Sequence, residues 1–492
     1  MERDTPHDAQ GVFTGCFVPT DLHGQADSGV STCICTSISN LPVHYTMPYT
    51  PGSEPLSYAT STDGGCTWAE GRDNPIVPAL PEDLDITWRD PYVATWPALS
   101  EALGLPEDQL FGCLAGGIRH ETPSVFYFGN NFRPSRWSRD LGINWEVTNF
   151  FQLPGTDTES RKSDSFIIPS CEGCKDSCSK FQTLDLGVTV DGRAPDLGWS
   201  CGGTLDYGAY YTGNSFWDPT IREQAVLGWL AEEDLPGKMR HPQGWSGCLS
   251  LPSLLKNIVI HNAVKARRSD LAQKGLIKLE PRDAGTGTAT LKTLAMMPHP
   301  NLSSLRKGTG SIDVDAALSN GDAHGTFLDV RILQWEADLS FAVGRGCESL
   351  DLTTHHSHNS AHKTTLEYYP DDELFIVNRS VTSTSSATSD DEETASRVAD
   401  AAPHTPFTIS DPATNEVQEE LPQLCLSYDQ SVLEVFLNER TVPSTKLYPP
   451  APDRGFGITM PAQGPVYEAE GTLATVKGSI WDGLKTQVAF CD

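Results

Sequence analysis

No uninterrupted apolar run approaches the roughly 20 residues that a membrane-crossing helix requires. The opening stretch, MERDTPHDAQGVFTG, holds no apolar core of a secretory leader. As written the chain reads as soluble and intracellular, or as secreted if the start is missing, so its compartment stays open. Basic residues are scarce: 35 Lys and Arg stand against 65 Asp and Glu, a formal net charge of −30. That charge repels phosphate backbones and argues against a nucleic-acid partner. It reads as a solvated acidic surface, which a neutral, hydroxyl-rich ligand does not sense. Several catalytic signatures are missing as well. There is no H-E-x-x-H, no phosphate-binding glycine loop and no dinucleotide fingerprint, so no cofactor is expected. No repeat of fixed period is visible.

What is present points to β-structure. The 492 residues are 38% hydrophobic, enough for one large or two medium cores, and 42 Gly with 35 Pro suit short strands joined by turns. Runs such as GVSTCICTSIS (29–39), SVFYFGNN (124–131) and AVLGWLAEED (225–234) are bounded by Gly, Pro, Asp and Asn, as antiparallel strands are. FLDVRILQWEADLSFAV (327–343) alternates. KTTLEYYPDDELFIVNRS (363–380) reads as two strands around Pro-Asp-Asp, and LCLSYDQSVLEVFLNERT (424–441) as a pair around Asp429-Gln430. Helical spacing is scarce, and SLLKNIVIHNAVKARRSDLAQKG (253–275) is expected to hold a connector, with Gly275 where a helix would stop. The polar stretch 380–406, poor in aromatics, is expected to be a mobile surface loop. Two all-β domains follow, with a boundary near 255–300.

Thirteen cysteines, an odd number in a long chain, do not make a dense disulfide framework. Cys171, Cys174 and Cys178 cluster; they could be free loop thiols, a local disulfide, or three ligands of a metal lacking its fourth. His355, His356, His358 and His362 form a tract that reads as a loop rather than a metal site, and no metal is expected. Asn301 and Asn378 head glycosylation sequons, which matter only in a secreted protein.

The chemistry that remains is carboxylates among aromatics. Arg89 and Asp90 adjoin in Trp-Arg-Asp-Pro, Glu146 follows Trp145, Asp206 precedes Tyr207-Gly208, and Glu232 ends an apolar run. Aromatic rings stack on sugar faces, while Asp, Glu and Arg grip hydroxyls through charge-assisted bonds. Paired carboxylates are also what glycoside hydrolysis needs. A lone Arg-Asp neighbour pair is more often an ordinary structural ion pair, and the residues alone support only a β-rich, carbohydrate-active candidate.

Together and in order, these blocks resemble glycoside hydrolase family 32, in its fungal invertase, inulinase and fructosyltransferase branch. The similar segments are TSISNLPVHYTMPYTPGSEPLSYATSTDGG (36–65), TWRDPYV (87–93), NWEVTNFFQL (144–153), LDYGAYYTGNSFWDP (205–219), VLGWLAEED (226–234), HPQGWSGCLSLPSLL (241–255) and YDQSVLEVFLNERT (428–441). The resemblance implies a five-bladed β-propeller over 1–265 with its first blade incomplete, a connector over 266–300 and a β-sandwich over 301–492. It implies retaining cleavage or transfer of β-fructofuranosyl units, with sucrose or a fructo-oligosaccharide as substrate. Glu146 would be the acid/base, which needs a raised pKa. Asp90 would stabilise the transition state with Arg89 as its partner. Asp206 and Glu232 would bind substrate in or near the same funnel, or serve as hydrogen-bonding residues of the blades.

The family's nucleophile is an aspartate in Asn-Asp-Pro or Gly-Asp-Pro, some tens of residues before the segment that here begins VFTGCFV (12–18). Neither motif occurs upstream of Asp90, and Asp4, Asp8 and Asp21 lie in no matching context. The nucleophile is therefore read as absent from this chain. The alternative function is a catalytically silent fructoside-binding protein on the same scaffold.

Overall fold

The computed structural model describes residues 5–44, 46–79, 87–116, 124–128, 135–137, 144–156, 163–172, 178–187, 196–232, 241, 244–271, 278–280, 287–319, 326–357, 361–381, 399–449, 455–465 and 472–484. The chain forms two compact units, one of Met1–Thr204 with Tyr211–Ser215 and one of Leu205–Tyr210 with Phe216–Asp492.

The first unit is three successive four-stranded antiparallel sheets, each in sequence order. The first sheet is β1 (Gly11–Val18), β2 (Ser31–Ile38), β3 (Leu56–Ser61) and β4 (Ala69–Glu70). The second is β5 (Trp88–Thr95), β6 (Leu110–Gly116), β7 (Ser124–Phe128) and β8 (Ser135–Trp137), with helix α1 (Pro97–Leu103) between its first two strands. The third is β9 (Asn144–Pro154), β10 (Ser163–Glu172), β11 (Cys178–Gly187) and β12 (Asp196–Thr204). Strand β5 packs on β1 and β2 of the sheet before it and on β9 of the sheet after it. The first sheet thus carries four strands.

The apolar face of each strand explains the stacking. Val18, Ile34, Leu56, Trp88, Trp96, Phe150 and Ile167 are buried in one cluster drawn from all three sheets. Trp96 stacks on Phe150 at 4.7 Å between ring centroids, and Tyr92 meets the same ring edge-on at 5.3 Å, arrangements that add to the area they bury. The hydroxyl of Ser165 accepts the Trp96 indole N–H at 3.1 Å, so the buried polar end is satisfied.

After β13 (Tyr210–Asp218), whose middle groups with the first unit, the second unit continues with β14 (Glu223–Leu230), β15 (Cys248–Leu249), β16 (Ser253–Ala266), β17 (Lys278–Leu279) and β18 (Ala289–Pro298). The expected connector is therefore itself sheet: β16 is a 14-residue strand paired antiparallel to β18. Its β-branched run Ile258-Val259-Ile260 disfavours helix and suits the pleat, and Leu254, Leu255 and Ala263 turn inward. Two further sheets form a sandwich. One holds, in spatial order, Gly310–Ser319, Thr472–Asp482, Gln334–Val343, Gln423–Asp429, Val432–Leu437 and Ser444–Lys446; the other runs Thr326–Leu328, Ile458–Met460, Ser349–His355, Lys363–Tyr369, Leu374–Val381 and Asp400–Pro403. Trp335, Val377, Tyr428, Val435, Ile458 and Ile480 fill one core between them.

Both hairpins expected from the sequence are present, one between Lys363–Tyr369 and Leu374–Val381 and one between Gln423–Asp429 and Val432–Leu437. Of the expected loop 380–406, Asp400–Pro403 is a strand, and residues 382–398 lie outside the described residues.

Candidate active site

The site begins where β5 breaks its ladder. Pro91 has no N–H to give, and the pairing of β5 with β6 shifts register between Arg89 and Tyr92. The break leaves Asp90 at φ 59°, in the left-handed region that residues other than glycine rarely occupy. Its backbone N–H donates to the Thr36 hydroxyl at 2.9 Å. On β9, Val147 sits at φ 45°, which is costlier still for a β-branched residue, and its N–H donates to Asp90 Oδ2 at 3.2 Å. Two strained residues joined by one hydrogen bond mark a place where the fold holds a geometry against local preference.

Three carboxylates converge on one guanidinium there. Arg89 donates through Nη1 to Glu54 Oε1 at 2.8 Å and through Nε to Glu146 Oε1 at 3.1 Å. Its Nη2 makes a second, short bond to the same Glu146 oxygen, and Asp90 Oδ2 lies 3.9 Å from Nε. Tyr211 donates its hydroxyl to the other oxygen of Glu146 at 2.7 Å. Glu54 also accepts the Trp88 N–H at 3.1 Å and is fully buried, whereas the Glu146 side chain keeps 15% of its exposure. Burial works against the Arg89 charge, but Glu146, Glu54 and Asp90 outweigh it and hold the proton on. Asp90 is pushed up to about 7, chiefly by burial, with Arg89 opposing and Glu146 and Glu54 adding to the rise.

Of the residues singled out from sequence, the structure thus brings Arg89, Asp90 and Glu146 together. Glu54 and Tyr211 were missed, although both lie inside the segments quoted above. Asp206 and Glu232 belong to the second unit and are fully buried. Asp206 Oδ1 accepts the N–H groups of Gly208 at 2.7 Å and Ser444 at 3.0 Å, while Oδ2 is buried with no hydrogen-bond partner among the described residues. Position 208 must be glycine for this, since a Cβ there would lie 2.0 Å from the Ser444 carbonyl oxygen. Glu232 accepts the Gly247 N–H at 2.6 Å and the Tyr448 hydroxyl, with Lys446 Nζ at 3.6 Å. The second unit also carries an open pocket of about 340 Å³ lined in part by Trp245, Asp429, Gln430 and Glu434.

Cys171 and Cys178 oppose each other in the β10–β11 register, and Cys174 lies outside the described residues. His355 ends a strand rather than lying in a loop, and it shares a hydrogen bond with Thr459 at 3.0 Å. His356 shares one with Thr364 at 2.9 Å, while His358 falls outside the described residues. The described histidines of this tract do not gather as a set of three metal donors.

Residues 1–273 match the family model for the N-terminal domain of glycosyl hydrolases family 32, and residues 301–482 match the model for its C-terminal part. Among curated relatives, an insoluble-isoenzyme beta-fructofuranosidase of Arabidopsis thaliana is 25% identical over 205 residues, 38% of this chain and 33% of that protein. A rice counterpart (Oryza sativa subsp. japonica) is 24% identical over 424 residues, 77% of this chain and 62% of that protein. The match thus spans about a third of the Arabidopsis protein's length. Among solved structures, the beta-fructofuranosidase of Aspergillus kawachii complexed with glycerol is similar at TM-score 0.78 and 21% identity, covering 97% of this chain and 84% of that one. The wild-type fructosyltransferase of A. japonicus is similar at TM-score 0.77 and 20% identity, covering 99% and 86%. These likenesses establish the fold: a propeller domain followed by a β-sandwich.

Proposed function

Because this chain belongs to glycosyl hydrolase family 32, we propose that it cleaves β-fructofuranosyl bonds in sucrose or inulin-type fructans, by retaining hydrolysis or by transfer to an acceptor sugar. The observation that carries this reading is the strained Asp90–Val147 link beside the Arg89 clamp on Glu146. Glu146, the partly exposed carboxylate of the set, protonates the leaving glycosidic oxygen. The retaining path then needs a carboxylate to hold the fructosyl unit before Glu146 takes the proton of water or of a sugar hydroxyl, and no Asn-Asp-Pro or Gly-Asp-Pro upstream of Asp90 supplies it. Asp90 grips fructosyl hydroxyls and stabilises the positive charge that develops on the ring, and Arg89 fixes both carboxylates at the required angle. Full burial and backbone hydrogen bonds suit Asp206 and Glu232 to holding loops in place rather than to touching sugar.

One observation favours the second reading, a fructoside-binding protein without turnover. Both oxygens of Glu146 are already taken, one by Arg89 and one by Tyr211. Incubation of the chain with sucrose and a short inulin oligomer separates the two. Turnover predicts released sugars, with a loss of about 10²–10⁴-fold on Glu146→Gln. A fructose-dependent rise in melting temperature without release would instead establish binding alone.

A further inference from the structure

We propose that the open pocket of the second unit is a binding site for a neutral saccharide, with Trp245 as its stacking platform and Asp429, Gln430 and Glu434 as its hydroxyl-binding groups. All of its lining residues belong to the second unit, whereas Arg89 and Glu146 belong to the first. Its volume of about 340 Å³ lies within the range of small-ligand sites, roughly 300–1,000 Å³.

Two stretches of chain make the lining, 245–251 and 427–434. Trp245, in the first, is 46% exposed. Lys446 Nζ lies 4.2 Å from its ring centroid, a cation–π contact that steadies one face of the indole. The same ammonium donates to the Ser431 hydroxyl at 3.1 Å and so ties the indole to the second stretch. The two stretches meet again where the Leu251 N–H donates to Glu434 Oε1 at 2.7 Å. The platform is therefore set before a ligand arrives, which lowers the ordering cost of binding.

The second stretch supplies the polar groups. Ser427 and Asp429 alternate with the core residue Tyr428, so both face away from the core, and Glu434 stands directly opposite Ser427 in the strand register. Glu434 is only 3% exposed, yet it lines the pocket. Burial pushes it up to about 8, with the Leu251 N–H opposing and Asp206 adding to the rise. At neutral pH it keeps a proton and can donate to a hydroxyl oxygen. Carboxyl groups, an amide and serine hydroxyls around one indole match the hydroxyl-rich edge and C–H face of a sugar ring. No lysine or arginine is among the described residues that line the pocket, so an anionic ligand is disfavoured.

Isothermal titration of the full 492-residue chain tests the site, in the Glu146→Gln form so that no sugar is consumed. The probes are an inulin-type pentasaccharide and cellopentaose, with trigalacturonate as the anionic control. Saturable binding of at least one neutral probe is expected. Trp245→Ala should weaken it about tenfold or more, and Trp245→Phe should restore most of that loss. Asp429→Ala should weaken the same site about threefold or more. Circular dichroism checks that each variant folds. Binding at the Arg89–Glu146 cluster would add a second site that Trp245→Ala leaves unchanged, so the two readings fail separately. Three results would overturn the saccharide site: no saturable binding of either neutral probe, affinity unchanged in both Trp245→Ala and Asp429→Ala, or tighter binding of trigalacturonate than of the neutral probes.

Discussion

Each unit buries a set of acidic side chains, and the two sets are stabilised by different means. In the first unit, Glu54, Asp90 and Glu146 share a single guanidinium, two strained backbone positions hold them, and one of the three keeps contact with solvent. In the second unit each acid has its own support. Asp206 takes two backbone N–H groups, Glu434 takes that of Leu251 at 2.7 Å, and Glu232 takes Gly247, Tyr448 and Lys446. Charge concentrated on one residue leaves carboxylates mutually coupled, as acid/base chemistry requires. Charge distributed over backbone donors makes rigid struts. Burial alone does not separate the two; the wiring of the partners does.

The comparison is broken most directly by removing the cations. Arg89→Met leaves three carboxylates without their common partner, and a loss of about 3–5 kcal/mol in unfolding free energy is expected from breaking a buried charge network. Lys446→Met strips Glu232 of its ammonium but leaves it the Gly247 and Tyr448 donors, so about 1–3 kcal/mol is expected. Urea unfolding of both variants at one pH measures the difference. An equal or larger loss at Lys446 would mean that the hydrogen bonds in the second unit carry little, and the contrast would fail.

How far each set could be read in the sequence follows the same division. Arg89 and Asp90 are chain neighbours ahead of a proline, so a short motif displays their pairing, and Glu146 stands out after Trp145. Glu54 lies 35 residues from Arg89 and meets it only through the tertiary fold, so no local pattern could reveal it. Tyr211, 65 residues after Glu146, is hidden for the same reason. The sandwich hairpins were legible because alternation and turn residues are local. Within 253–275, read as able to hold a connector, the apolar spacing also fits a long strand, and pairing with β18 shows Ser253–Ala266 to be one.

The pH dependence of the second set sharpens the contrast further. Burial pushes Asp206 up to about 7, against the hydrogen bonds from Ser444 and Gly208, and pushes Glu434 up to about 8. A carboxyl whose folded pKa is raised holds its proton in the folded state after the unfolded chain has released it. Its stabilising contribution is therefore complete below about pH 4 and is lost as pH climbs through about 7. His356 has the opposite sign. Burial, then His355 and His362, hold it down at about 4, so its part is lost as pH falls from about 6.5. Asp206→Asn isolates the acid term, because the amide oxygen can still accept from Gly208 and Ser444. The wild-type chain should lead the variant at about pH 5 and lose that lead by about pH 8, a swing of at most roughly 3 kcal/mol. Urea unfolding of both chains at the two pH values reads it. An offset that does not change with pH would show Asp206 to be ionised throughout, and the second set would then resemble the first.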